Sequence, residues 1–295
     1  MKVLLATDGS KEATAALRAA CRLLAPADRR MDVLYVAPEP RAPKSGRIAK
    51  QALQHRITEE TRRILEGSKQ VLQEEGADVL TLSATGSPAS VIMREAVDYD
   101  VTILGAKGAN DRSVAGLGPV ASRLVEHATG CVLVGREPPG DRGLRILVPV
   151  DGSDGSNQAL DALSSFFDLE SAEITLLHVL ETLWLALEPE EESLGASDPD
   201  AKQSDQLALE LRHEAEQLLA EARARVLEHH PGVTVSIREG NPANEILSEA
   251  DQGSYDLVVV GAHEANDLKH SVLGSVSSKV AWNAPCSVLV VRVPE

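Results

Sequence analysis

The sequence predicts two doubly wound α/β domains with parallel sheets, and three observations predict them. Short apolar runs of strand length alternate with longer amphipathic stretches at helical spacing, the pattern of a parallel sheet covered by helices. The whole series of elements occurs twice in 295 residues, a length that accommodates two domains of about 150 residues each. The chain is 43% hydrophobic but only 2% aromatic, so each core is built from Leu, Val, Ile and Ala, a composition suited to helices on a parallel sheet.

In the first copy, Lys2 to Thr7 reads as a strand, and Asp8-Gly9-Ser10 is the turn at its carboxyl end. Ser10 caps a helix to about Leu24, with Ala13, Ala16, Leu17, Ala20 and Leu24 at helical spacing. Met31 to Ala37 is the next strand, closed by the proline-bearing run Pro38 to Pro43. A long helix follows from about Ile48 to Glu75, with Ile57, Thr61, Ile64, Val71 and Leu72 inward. Val79 to Thr85 is the third strand. Gly86-Ser87-Pro88 then supplies a cap and a first-turn proline for a helix to Asp98. Val101 to Leu104 is a buried strand, followed by a Gly-rich loop from Gly105 to Gly118. A short helix with Leu117, Ala121, Leu124, Val125 and Ala128 on one stripe leads to the strand Cys131 to Val134.

Glu137-Pro138-Pro139-Gly140 reads as the linker, and Leu144 begins the pattern again. Asp151-Gly152-Ser153 repeats Asp8-Gly9-Ser10 at an offset of 143 residues, whereas Gly261 repeats Gly105 at an offset of 156. The 13 additional residues of the second copy fall most naturally in the acidic stretch 181–205, expected as a surface loop ahead of a helix from Gln206 to Glu228. Gly240-Asn241-Pro242 echoes Gly86-Ser87-Pro88, and Leu289-Val290 echoes Leu133-Val134.

The net charge of −16 excludes a general nucleic-acid binder, which needs a basic face. No apolar run approaches the ~18 residues of a membrane span, and the N-terminus lacks the longer apolar region of a secretion signal. The cytoplasm is therefore the expected compartment. Cys21, Cys131 and Cys286 show no CxxC spacing and read as small buried hydrophobes.

In a doubly wound sheet, ligands bind outside the carboxyl ends of the strands, where the strand order reverses. Asp8, the loop after Ala37 and the stretch Gly105 to Gly118 all lie at carboxyl ends. They meet in one crevice if the first and fourth strands are neighbours. A glycine loop feeding a helix N-terminus presents backbone N–H groups and a positive dipole end, which suits a phosphate. Gly105 and Gly108 are read as allowing positive φ and close backbone approach, and Gly118 as opening the helix without a Cβ. Asp8 and its repeat Asp151 either accept hydrogen bonds from a nucleoside or cation, or serve as turn residues bonded to their own backbone.

The spacing Gly105-x2-Gly108-x9-Gly118 resembles the nucleotide motif of the universal stress protein family. The Asp-Gly-Ser strand end and the closing Ala-Pro-Cys-Ser-Val-Leu-Val, residues 284–290, resemble that family too. The resemblance covers nearly the whole chain twice. It implies domains at 1–136 and 144–295 joined by a linker at 137–143. Each would be a five-stranded parallel sheet of the adenine nucleotide alpha hydrolase-like kind, and the two would pair as an intramolecular pseudo-dimer, with a further homodimer by analogy only. It also implies ATP, with or without magnesium, or another adenine nucleotide. Asp8 and Asp151 would then contact the nucleoside, and Val36 and Val179 would line the base pocket. Gly105, Gly108 and Gly118, or Gly261, Gly274, Ser275 and Ser277, would hold phosphates. Each copy departs from the motif. Pro119 replaces the first Ser or Thr, removing a hydroxyl and an N–H. Glu264 replaces the second glycine of the second copy and adds a like charge beside a phosphate, which Lys269 or His270 would offset.

Other chemistry finds no support. Gly116-Leu-Gly118-Pro-Val-Ala121 fits GxGxxA, but its strand ends about ten residues too early for a dinucleotide turn. GxxxxGK[ST] is absent, His263-Glu264 lacks the second histidine of HExxH, and no metal-ligand set or Ser/His/Asp arrangement is recognisable. The expected function is a non-enzymatic stress-response protein that binds an adenine nucleotide. The alternative is a nucleotide-free interaction protein whose domains pair through the strands Val132 to Gly135 and Val288 to Arg292.

Overall fold

A computed structural model describes residues 1–25, 30–39, 47–109, 111, 116–137, 143–167, 169, 172–181, 199–227, 230, 232–262 and 273–292, with the side chains of the two longest helices described from Lys50 and Gln206 onward. In the first half the elements are β1 (Lys2–Thr7), α1 (Lys11–Leu23), β2 (Arg30–Ala37), α2 (Arg47–Glu74), β3 (Val79–Thr85), α3 (Pro88–Glu95), β4 (Val101–Gly105), α4 (Pro119–His127) and β5 (Cys131–Gly135). The second half repeats them as β6 (Arg145–Pro149), α5 (Asp154–Phe166), β7 (Glu173–Leu180), α6 (Pro199–Leu227), β8 (Val233–Glu239), α7 (Pro242–Gln252), β9 (Leu257–Gly261), α8 (Ser275–Asn283) and β10 (Ser287–Val291).

Within each half the strands are parallel. They run β3-β2-β1-β4-β5 and β8-β7-β6-β9-β10, so the order reverses between β1 and β4 and between β6 and β9. These are the two switch points that the sequence anticipates. The sheets are not separate, however. β5 pairs antiparallel with β10, Val134 opposite Val288 and Val132 opposite Val290, and joins the ten strands into one sheet. Every residue of β5 and β10 is buried. Left as edges, these apolar strands would expose unpaired N–H and C=O groups, and pairing them with each other removes both edges.

The pseudo-twofold relation extends to side chains. Arg136, just after β5, donates to the carbonyls of Cys286 at 2.9 Å and Ala281 at 3.2 Å, at the end of α8. Arg292, just after β10, donates to the carbonyls of Val125 and Glu126 at the end of α4. Each half thus supplies a cation to the carbonyl end of the other's last helix, where the dipole favours it. A short bridge, Leu24 to Phe167, links the ends of α1 and α5.

Two apolar layers cover the sheet. Leu17 of α1, Leu72 of α2, Leu160 of α5 and Leu219 of α6 share one face with Leu5 and Ile146. Ile92 of α3, Leu124 of α4, Ile246 of α7 and Val280 of α8 share the other with Leu4 and Leu147. Both layers run through both halves.

Element boundaries follow the sequence reading closely, with three differences. α3 gives way to a 3-10 turn at Ala96–Asp98. Ser87 sits at the cap position of α3 but its hydroxyl makes no capping bond, whereas Asn241 accepts from the Asn244 amide at 3.2 Å. The second-half long helix begins at Pro199 rather than Gln206, so seven residues assigned to the acidic loop are helical, with proline in the first turn where its missing N–H costs nothing. The rest of that loop, 182–198, and linker residues 138–142 lie outside the described residues. Cys131 and Cys286 are buried and Cys21 half-buried, none of them in a disulfide. Burial pushes the Cys286 thiol up to about 12 and raises that of Cys131, so both are inert at neutral pH.

A crevice in the second half and its counterpart in the first

Both Asp-Gly-Ser turns have the same construction. Gly9 and Gly152 adopt φ of +76° and +80°, a conformation that glycine enters without a Cβ penalty. Asp8 Oδ1 accepts from the Ser10 amide at 3.0 Å, and Asp151 Oδ1 from the Ser153 amide at 3.0 Å. Ser10 and Ser153 then cap α1 and α5, accepting from Ala13 and Ser156 at 3.1 Å each. One oxygen of each aspartate is therefore used by its own turn. Burial tends to raise the Asp151 carboxyl, but the hydroxyl and amide of Ser153 outweigh it and hold the group below the ordinary aspartate range.

The glycines after β4 and β9 do a different job from the one their positions suggest. Neither Gly105 nor Gly108 has positive φ. A Cβ on Gly105 would stand 2.7 Å from the backbone carbon of Glu12, and one on Gly261 would stand 2.0 Å from the backbone oxygen of Gly155. Bare backbone here lets the first turns of α1 and α5 press on the ends of β4 and β9. This brings each Asp-Gly-Ser turn beside the carboxyl end of β4 or β9.

In the second half the predicted residues converge. Asp151, Val179, Gly261, Gly274, Ser275 and Ser277 all line one crevice of about 420 Å³, within the ~300–1,000 Å³ usual for small-molecule sites. Val179 of β7 and Ile246 of α7 supply apolar lining, and the start of α8 lines the crevice as well. Gly274 caps that helix without a side-chain bond, and the Ser278 amide is the first to bond within it, to the Gly274 carbonyl at 2.9 Å. The amides of Ser275, Val276 and Ser277 precede the first intrahelical bond, so they are open to an acceptor at the positive end of the dipole. Ser275 adds a hydroxyl. The Ser277 hydroxyl donates to the Gly261 carbonyl at 2.7 Å, so it ties α8 to β9 and can only accept from a ligand.

Sequence reasoning missed several lining residues. His178 precedes Val179 on β7 and donates from Nδ1 to the Val150 carbonyl at 2.7 Å, which leaves Nε2 as an acceptor. Gly155 and Ile246 were also unforeseen. Gly155 could have been found as the glycine that stands where the first copy has Glu12, the second residue of the helix. Glu264, Lys269 and His270 lie outside the described residues. Among the described residues no group of three or more His, Cys, Asp or Glu could hold a metal ion, and no helix is long and apolar enough to cross a membrane.

The first half arranges the same parts differently. Asp8 Oδ2 accepts from the Ala109 amide at 2.7 Å, and a Cβ on Gly108 would stand 2.6 Å from that oxygen. The loop then turns back, the Asp111 amide donating to the Gly108 carbonyl at 3.0 Å. A Cβ on Gly118 would stand 2.6 Å from Asp111 Oδ2, an oxygen shut off from solvent. The Gly118 amide donates to the Ala106 carbonyl at 2.8 Å, and Pro119 opens α4 without an N–H. A phosphate brought there would face a like charge costing about 1–4 kcal/mol at ~4 Å. Val36 is buried in the apolar layer at 8% exposure. Trp282 of α8 reaches this loop from the second half: a Cβ on Gly116, whose φ is +82°, would stand 2.8 Å from its ring.

Comparisons with known proteins agree with this architecture. The family model for the universal stress protein family matches residues 1–136 and again 144–292. A universal stress protein of Mycolicibacterium smegmatis is 27% identical over 301 residues, covering 98% of this chain and 96% of the relative. Universal stress protein YxiE of Bacillus subtilis is 33% identical over 148 residues, half of this chain and 98% of the relative. The crystal structure of a universal stress protein from Archaeoglobus fulgidus superposes with a TM-score of 0.64 at 19% identity, covering 99% of this chain and 98% of that one. With two matches that together span nearly its full length, the chain belongs to the universal stress protein family as a tandem member.

Proposed function

We propose that this is a cytoplasmic, non-catalytic stress-response protein that binds ATP or another adenine nucleotide as a signal, with the second-half crevice as the best-supported site. The observation that carries this reading is the meeting of three elements in one crevice: the uncapped start of α8, the Asp151 turn and the apolar wall of Val179 and Ile246. Phosphates would lie on the amides of Ser275 to Ser277, with the Ser275 hydroxyl as a further donor. Asp151 would accept from the nucleoside, and Val179 would pack on the base. A magnesium ion would arrive with the phosphates, since a single carboxylate, partly used by its own turn, makes a poor cation site by itself.

Equilibrium dialysis or calorimetry with ATP and magnesium tests the reading. Asp151→Ala removes an acceptor and loosens the Ser153 turn, so its affinity should fall tenfold or more, which corresponds to about 1.4 kcal/mol. No binding by the unmodified chain at millimolar ATP would sink this reading. It would favour the nucleotide-free alternative, in which paired halves act as an interaction platform.

A further inference from the structure

The two halves do not offer equivalent sites, and the difference has a consequence for stoichiometry. We infer that this chain binds one nucleotide, in the second half, because the first half ties Asp8 to its own loop and sets the Asp111 carboxylate against the start of α4. The inference rests on the nucleotide reading of the crevice and deepens it by fixing which copy is used.

Three independent features of the first half point the same way. Asp8 Oδ2 takes the Ala109 amide at 2.7 Å, so that loop donor is already engaged. Asp111 places a carboxylate oxygen against Gly118, the residue that opens α4, where a phosphate would have to approach the helix. Pro119 removes one of the amides that would receive it. In the second half, Ser275 stands in place of Pro119, and the start of α8 lines the crevice. A carboxylate at a helix N-terminus is favoured by the same dipole that favours a phosphate, and repels the phosphate itself. The first copy thus holds carboxylate charge against the start of α4, where the second copy has Ser275.

Equilibrium dialysis of the full chain against labelled ATP with magnesium should saturate at one equivalent. A photoreactive azido-ATP should label peptides of residues 144–292 and not those of residues 1–136. Asp111→Gly combined with Pro119→Ser should raise the stoichiometry towards two. Two equivalents on the unmodified chain, or labelling within residues 1–136, would overturn the inference and leave the nucleotide reading intact. A folded double variant that stays at one equivalent would overturn the role given to Asp111. Absence of binding and of labelling would overturn the nucleotide reading and this inference with it. The labelling experiment uses the unmodified chain, so the test stands even if the double variant does not fold.

Discussion

The unit β4–loop–α4 and the unit β9–loop–α8 occupy equivalent places in one sheet, yet one ends against a carboxylate and the other opens on a crevice. Where they agree, packing demands it. Both carry a positive-φ glycine in the Asp-Gly-Ser turn, both carry a glycine at φ +144° before the third helix (Gly86 and Gly240), and both send an arginine to the partner half's last helix. They differ at the helix start, Pro119 against Ser275, and that is where a ligand would be held. The shared frame therefore persists whether the last helix of a half opens with proline or with serine.

The largest effect that would sharpen this comparison lies in the glycines beneath the loops. Gly261→Ala would drive a Cβ to 2.0 Å from the Gly155 oxygen, whereas Gly105→Ala meets the Glu12 backbone at 2.7 Å. The first should cost about 3 kcal/mol or more and the second about 1–3 kcal/mol, as overpacking against backbone does. Equal shifts in urea midpoint would break the view that the second half is built on the closer contact.

Helix caps should give a smaller effect that separates the halves again. Asn241→Ala removes the bond to Asn244 and should cost about 1 kcal/mol, while Ser87→Ala at the equivalent cap should stay within ~0.5 kcal/mol. Matching losses in thermal or chemical denaturation would show that the Ser87 hydroxyl does cap α3.

The smallest effect is in acid. The Asp151 carboxyl is held below its ordinary range in the folded chain, so its bonds contribute stability above the unfolded value of about 3.9. That contribution falls away as the pH drops through the lower folded value. Asp151→Asn should flatten this part of the acid-unfolding profile and leave the neutral-pH slope unchanged. An unaltered acid limb would mean that the Ser153 bonds do not distinguish the charged form.

Much of this was legible from residue order. Apart from the start of α6, periodicity located the strands and helices it assigned to within a few residues, because a buried stripe or strand is a local pattern. The paired Asp-Gly-Ser turns revealed the duplication, and six second-half residues picked for a ligand do line one crevice. The glycines were harder. The sequence marks Gly105 and Gly261 as special but cannot say whether φ or a neighbouring backbone requires them, and that neighbour, Glu12 or Gly155, is about a hundred residues away. His178 and Ile246 went unseen because a lone histidine on a strand and an isoleucine on a helical stripe carry no local signature.

The sequence by itself determined two copies of an α/β module, with their turns, caps and glycine loops, since each rests on short-range geometry and on which residues can enter positive φ or satisfy a helix end. Only the tertiary structure decided that β5 and β10 weld the copies into one sheet. It alone decided that Asp8 reaches Ala109 and that Asp111 comes to rest at the start of α4. These contacts join segments that are remote in the chain or lie at opposite ends of one irregular loop, and they are chosen by the competition among buried polar groups for partners, which no local pattern records.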